Sequence, residues 1–138
     1  MKKRVLILCT GNSARSQMAE GLLRHDSGEQ FDVESAGVAP GFVRTEAIEA
    51  MREINVDISN HRSKSVDEFA NQQFDFVITV CDNAKETCPI FPGFSQRIHQ
   101  SFFDAAIVKG DYETRLNAFR KVRDELREWL KTFASQVA

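Results

Sequence analysis

Four consecutive apolar residues, Val5-Leu6-Ile7-Leu8, run into Cys9-Thr10-Gly11-Asn12-Ser13-Ala14-Arg15-Ser16, and an apolar pattern at helical spacing (Met18, Ala19, Leu22, Leu23) follows at once. A short, unbroken apolar run is the signature of a strand buried on both faces, as in a parallel sheet covered by helices. The eight residues between are therefore a strand-to-helix loop. A helix N-terminus presents unpaired N–H groups and the positive end of the helix dipole. Gly11 supplies the conformational freedom of a tight loop, and Asn12 tolerates the left-handed region better than most residues. Loop amides closed by the Arg15 guanidinium make a cradle for a tetrahedral oxyanion, with Thr10, Gly11, Asn12, Ser13, Ala14, Arg15 and Ser16 as its expected lining. Cys9 stands at its mouth, where positive partial charges are expected to ease thiol ionisation, and Ser16 is placed to donate a further hydrogen bond to the sulfur. The competing reading is a buried, inert cysteine and a surface arginine.

The rest of the chain alternates strand and helix signals. Phe31–Ser35 alternates as a half-exposed strand and Ala36–Gly41 is turn-rich; Thr45–Ile54 is helical, with Ala47, Ile48, Met51 and Ile54 on one face. Ser65 is placed to cap a short helix through Phe69 and Ala70. Phe74–Val80 is the strongest strand signal and runs straight into Cys81. Asp82–Thr87 is polar and weakly helical, and Cys88-Pro89-Ile90-Phe91-Pro92-Gly93 cannot continue a helix. Gln96–Phe102 suggests a last strand ending before Asp104, and Tyr112–Phe133 a long amphipathic helix in which Trp129 is a packing residue. The alternation implies βαβ units, hence a three-layer α/β fold: a four-stranded parallel sheet of order 2-1-3-4 flanked by helices. In such sheets ligands bind at the carboxyl ends of the strands beside the switch point, which gathers Cys9, Cys81 and Asp104 on one edge.

At 138 residues and 42% apolar content, residues 1–138 are expected to form one domain with a proper core. A net charge of −2 with no long basic run argues against nucleic acid as a partner. No stretch approaches membrane-spanning length, the apolar run behind Met1-Lys2-Lys3-Arg4 is too short for a signal peptide, and Ser135–Ala138 carries no lipidation box. The expectation is a cytoplasmic, monomeric protein whose three cysteines stay reduced and serve chemistry. His25, His61 and His99 are scattered away from the cysteines, so no metal is expected. On a helix Cys81 and Cys88 would share a face but lie about 10.5 Å apart along the axis, whereas a disulfide needs Cα atoms within roughly 7 Å. Either the two are small packing residues, or they pair after residues 82–87 loop out. Asp104 is by itself a helix cap or loop residue; beside an anion cradle it is a candidate general acid.

Cys9–Glu20, with Ser35-Ala36-Gly37 and Cys81-Asp82-Asn83-Ala84-Lys85-Glu86-Thr87-Cys88-Pro89, resembles the thioredoxin-coupled arsenate reductases, which are built on the low-molecular-weight protein tyrosine phosphatase fold. The resemblance covers nearly the whole chain, including Phe119–Glu125. It implies Cys9 as nucleophile, Arg15 as oxyanion clamp, Asp104 as general acid, Cys81 and Cys88 as a disulfide relay, and Asn12 and Ser35 as loop supports. It implies arsenate as substrate with phosphate as a weak analogue, thioredoxin as reductant, no cofactor, and a role in arsenic detoxification. The family pattern has Pro after the acid where this chain has Ala105, which leaves Asp104 less rigidly placed. The rival functions are a phosphatase acting on phosphotyrosine or small phosphoesters, which gives Cys81 and Cys88 no task, and a non-catalytic module sensing an oxyanion or redox state.

Overall fold

The computed structural model describes residues 2–89 and 91–137. Met1 of the basic start, Ile90 of the Cys88–Gly93 segment and Ala138 lie outside the described residues. Four parallel strands, β1 (Lys3–Cys9), β2 (Phe31–Gly37), β3 (Phe76–Thr79) and β4 (Gln96–His99), form one sheet of order β2-β1-β3-β4. The helices are α1 (Arg15–Ser27), α2 (Thr45–Arg52), α3 (Asp82–Thr87) and α4 (Tyr112–Val137), with 3-10 turns at Val66–Phe69 and Ala105–Ile107. The order 2-1-3-4 expected from the alternation is the observed one. Val5 to Leu8 are wholly buried, as a strand flanked by two others and covered on both faces must be.

The helices flank this sheet through aromatic and aliphatic contacts. Phe133 of α4 meets Phe31 at the start of β2 (5.5 Å between ring centroids) and Phe76 at the start of β3 (5.3 Å). Trp129 stacks on Phe133 and meets Phe102 edge-on, so it is a packing residue. Leu126, Phe119 and Val122 complete the buried stripe of α4, which packs along α1 and α2. Among the described residues no helix is long and apolar enough to cross a membrane.

Several boundaries differ from the sequence reading, each for a tertiary reason. Strand β2 continues past Ser35 to Gly37 because Ser35, Ala36 and Gly37 pair with Ile7, Leu8 and Cys9 of β1. Helix α2 stops at Arg52 rather than Ile54; Asn55 turns the chain in the left-handed region (φ 64°), and the amides of Ile54 and Val56 both return to the Met51 carbonyl. Strand β4 ends at His99 instead of reaching Phe102: its partner β3 ends at Thr79, and beyond it only the Gln100 and Phe102 amides still reach across, to the Thr79 and Val80 carbonyls. Helix α1 is not amphipathic in its first turns: Ser16 to Leu23 are all buried, Gln17 and Glu20 included. Ser65 does cap its short turn, accepting from the Asp67 amide at 3.1 Å.

Beyond Gly37 the chain keeps running beside the loop that follows β1. Val38, Ala39 and Gly41 donate backbone hydrogen bonds to Cys9, Thr10 and Gly11 carbonyls in turn. This close approach needs Gly37: a Cβ there would stand 2.6 Å from the Thr10 carbonyl oxygen and 2.9 Å from the Asn12 amide nitrogen. Gly37→Ala is expected to cost about 1–3 kcal/mol, as other overpacked sites do. It should also weaken phosphate binding, because the loop itself must move. Thermal unfolding and phosphate titration of the variant check both; wild-type values for the two would show that the loop yields freely here.

Candidate active site

The loop from Thr10 to Ala14 hangs from Asn12. Its backbone is left-handed (φ 48°), which Asn tolerates, and its buried carboxamide uses both ends. Nδ2 donates to Ser16 Oγ (2.8 Å) and Ser35 Oγ (2.9 Å), while Oδ1 accepts from Gln17 Nε2 (2.9 Å) and the Lys64 amide (2.8 Å). Ser35 donates onward to Glu20 Oε1, and Glu20 is ringed by Lys64 Nζ (3.4 Å), Arg24 (2.8 Å) and His61 (3.8 Å). Burial opposes ionisation of Glu20, but the Ser35 hydrogen bond and the three neighbouring basic groups outweigh it and hold its carboxyl below the ordinary value. A carboxylate buried this deeply is tolerable only with such compensation.

Gln17, Glu20, Lys64 and Gly37 are supports that the sequence reading missed. The signal for the first two was present: polar side chains on the inward side of an otherwise apolar helix start. Nothing local points to Lys64, which arrives from a segment 44 residues beyond Glu20.

The carboxyl ends of β1 and β3 bring Cys9 and Cys81 together, both buried and near enough for each thiol to shift the other's ionisation. All three cysteines are unpaired. Thr10 Oγ1 lies 3.2 Å from Cys81 Sγ and accepts from Asn83 Nδ2 at 3.2 Å, which leaves its proton available to a Cys81 thiolate. That hydrogen bond, the Ala84 amide and the Arg15 charge add to the Cys9 contact and lower the Cys81 thiol to about 5. Cys9 moves the other way: the Cys81 contact and burial raise it, against the opposing pull of Arg15 and the Ser16 amide. The expectation of a readily ionised Cys9 is thus corrected for the free site. Two adjacent thiols cannot both ionise cheaply, so the second sulfur opposes full ionisation of the first and the pair titrates as a unit. The Ser16 contribution also differs from expectation, coming through its backbone N–H, while its hydroxyl accepts from Asn12.

Arg15 opens α1 and spans the site. Its Nη1 donates to the Phe102 carbonyl (3.1 Å), and its Nη2 lies 3.7 Å from Asp104 Oδ2. Asp104 in turn caps the Ala105–Ile107 turn through the Ala106 amide (3.0 Å), so the carboxylate is held from two sides although no proline follows it. Cys88 sits apart, at the far end of α3, where burial raises its thiol against the influence of Arg97. Among the described residues no group of three or more His, Cys, Asp or Glu side chains could hold a metal ion.

The family model for low molecular weight phosphotyrosine protein phosphatases matches residues 4–138. The chain belongs to that family. Within it, an arsenate reductase of Halalkalibacterium halodurans is 44% identical over 133 residues, covering 96% of each chain. A solved arsenate reductase in the phosphate-binding state superposes over all of both chains with a TM-score of 0.78 at 28% identity. The thioredoxin-dependent arsenate reductase of Corynebacterium glutamicum matches at 26% identity with a TM-score of 0.71, over 98% of this chain and 63% of that one. The resemblance to arsenate reductases drawn from the loop and the cysteine spacing is borne out.

Replacing Cys81 by Ala removes the contact that does most to keep Cys9 protonated. Cys9 should then ionise at lower pH than in the wild type, and its rate of alkylation by iodoacetamide should rise over a lower pH range. An unchanged or higher midpoint would mean that burial, not Cys81, holds the proton on Cys9.

Proposed function

We propose that this protein reduces arsenate to arsenite by a three-thiol relay in which Cys9, Cys81 and Cys88 act in turn. The observation that carries this reading is the Cys9–Cys81 thiol pair inside an anion loop, with a third thiol at the other end of the helix that Cys81 begins. A phosphatase needs a nucleophile, an anion loop and an acid. It has no use for a second acidic thiol in contact with the nucleophile.

In this mechanism the loop amides and Arg15 hold the arsenate oxygens. As Cys9 attacks arsenic, its proton passes to the neighbouring Cys81 sulfur, and Asp104 protonates the departing hydroxide. Cys81 then gives up its proton to the Asp104 carboxylate left by that step and attacks Cys9 Sγ. An S–S bond forms, the S–As bond breaks with its electron pair remaining on arsenic, and arsenic(V) leaves as arsenic(III). Finally the Cys88 thiolate attacks Cys81 Sγ, releasing the Cys9 thiolate and moving the disulfide to Cys81–Cys88. The reductant in this reading is thioredoxin, and the setting is the cytoplasm, where unpaired cysteines persist.

The last exchange requires a change of shape. Cys81 and Cys88 flank the six residues of α3, and the intact helix keeps them about 10 Å apart along its axis, beyond disulfide reach. Helices this short have little stability of their own, so α3 can unwind at modest cost.

Replacing Cys88 by Ser separates the steps. Arsenate should bind and react once, giving about one arsenite per molecule in rapid quench, after which turnover with thioredoxin stops at a Cys9–Cys81 disulfide recoverable by peptide mapping. Sustained turnover by this variant would sink the relay, and a phosphatase with incidental cysteines would be unaffected by the change.

A further inference from the structure

The two ends of α3 are held very differently. At its start Asp82 Oδ1 meets His99 Nε2 at 3.0 Å, and His99 Nδ1 meets Thr79 Oγ1 at 2.7 Å. Thr79 and His99 are register partners across β3 and β4, at the last rung of the ladder. Thr79 is two residues before Cys81, and Asp82 follows it. The imidazole therefore closes a ring of side chains around the point where the chain leaves the sheet. One neutral tautomer satisfies both partners: the Thr79 hydroxyl donates to Nδ1, and Nε2–H donates to the Asp82 carboxylate. The Gln100 amide on the Thr79 carbonyl (3.0 Å) and the Phe102 amide on the Val80 carbonyl (3.0 Å) anchor the same corner. At the other end Cys88 is in extended backbone, its thiol donates to the adjacent Pro89 carbonyl at 3.5 Å, and a single tie to the sheet, Arg97 Nη2 on that carbonyl (2.5 Å), is found there among the described residues.

We propose that His99 is a positioning residue for the redox steps: through Asp82 it pins the Cys81 end of α3 to the sheet. Cys81 Sγ is thereby kept aimed at Cys9 while the Cys88 end, tied to the sheet through the Arg97–Pro89 hydrogen bond, unwinds toward it. The inference rests on the relay described above and adds to it a residue that touches neither substrate nor any of the three sulfurs. The step it serves is the attack of the Cys81 thiolate on Cys9 Sγ, in which an S–S bond replaces the S–As bond and the released electron pair reduces arsenic. Without the pin, Cys81 samples more directions and meets Cys9 in line less often, whereas the anion loop, built from β1, α1 and β2, is untouched.

The test uses the Cys88→Ser protein, which stops after this step, carrying in addition His99→Leu, Asp82→Ala, both together, or His99→Gln. Two rates are measured: arsenite release in rapid quench, and joining of Cys9 to Cys81 by diamide without arsenate, in which the diazene takes the two thiol hydrogens and becomes the hydrazine. Phosphate affinity reports on the loop. His99→Leu and Asp82→Ala should each slow both rates by about tenfold at unchanged phosphate affinity. The double variant should be no slower than either single one, as for two members of one contact, and His99→Gln, which keeps a donor, should recover most of the loss. Unchanged rates overturn the pin, and so does slowing matched by lost phosphate affinity or additive slowing in the double variant. Absence of arsenite from the parent protein would instead overturn the functional reading, with the diamide rates still deciding the role of His99.

Discussion

The site rests on one carboxamide. Asn12 sits in a left-handed loop position that most side chains avoid, and its four side-chain hydrogen bonds reach α1, β2 and the segment before the Val66–Phe69 turn. The partners come from three different parts of the chain, so the loop takes its shape only once the sheet and α1 have assembled. Buried amides are tolerated when all their donors and acceptors are met, and here they are. The Glu20 carboxylate beneath Ser35 extends the same network and explains why α1 departs from an amphipathic pattern at its start. Rigidity in this region is what allows a bound oxyanion to be met by donors already in place.

Electrostatics then divides labour between two sulfurs. A single nucleophilic cysteine above an anion loop would be driven toward the thiolate by Arg15 and the nearby amides. Adding Cys81 beside it changes that outcome, because two neighbouring sulfurs cannot both ionise cheaply and each depends on the donors around the other. Cys81 has Thr10, the Ala84 amide and Cys9 as donors; Cys9 is more deeply enclosed. The arrangement suits a reaction in which both sulfurs must act as nucleophiles in succession, since one proton moving between them switches the roles. Cys88 remains protonated and distant until α3 yields, which keeps the third thiol out of the first exchange.

The fold was legible from the sequence wherever burial is uniform along an element. Val5–Leu8 read as a buried strand because all its side chains are apolar, Phe74–Val80 because only Asp75 and Thr79 interrupt its apolar run, and the strand order followed from alternation and crossover handedness. Cys9, Cys81 and Asp104 were placed on one edge by topology alone, and the first two are in contact. What was misread lies where tertiary pairing overrides local pattern. Ala36-Gly37 looks like the start of a turn, yet it is strand because β1 is alongside; Gln100–Phe102 looks like strand, yet β3 ends at Thr79 and only the Gln100 and Phe102 amides still reach across.

By itself the sequence determined the elements, their order, the anion loop and the identity of the three thiols, because these depend on periodicity, residue chemistry and spacing along the chain. Only the tertiary structure decided that the ionisation of Cys9 and Cys81 is linked, since that depends on burial and donors drawn from Thr10, Arg15 and Ala84 at once. It also decided that Lys64 compensates Glu20 and that His99 ties α3 to the sheet, as both join residues far apart in the chain, through contacts no local pattern encodes. Periodicity reports which face of an element is buried; it does not report what lies across from it.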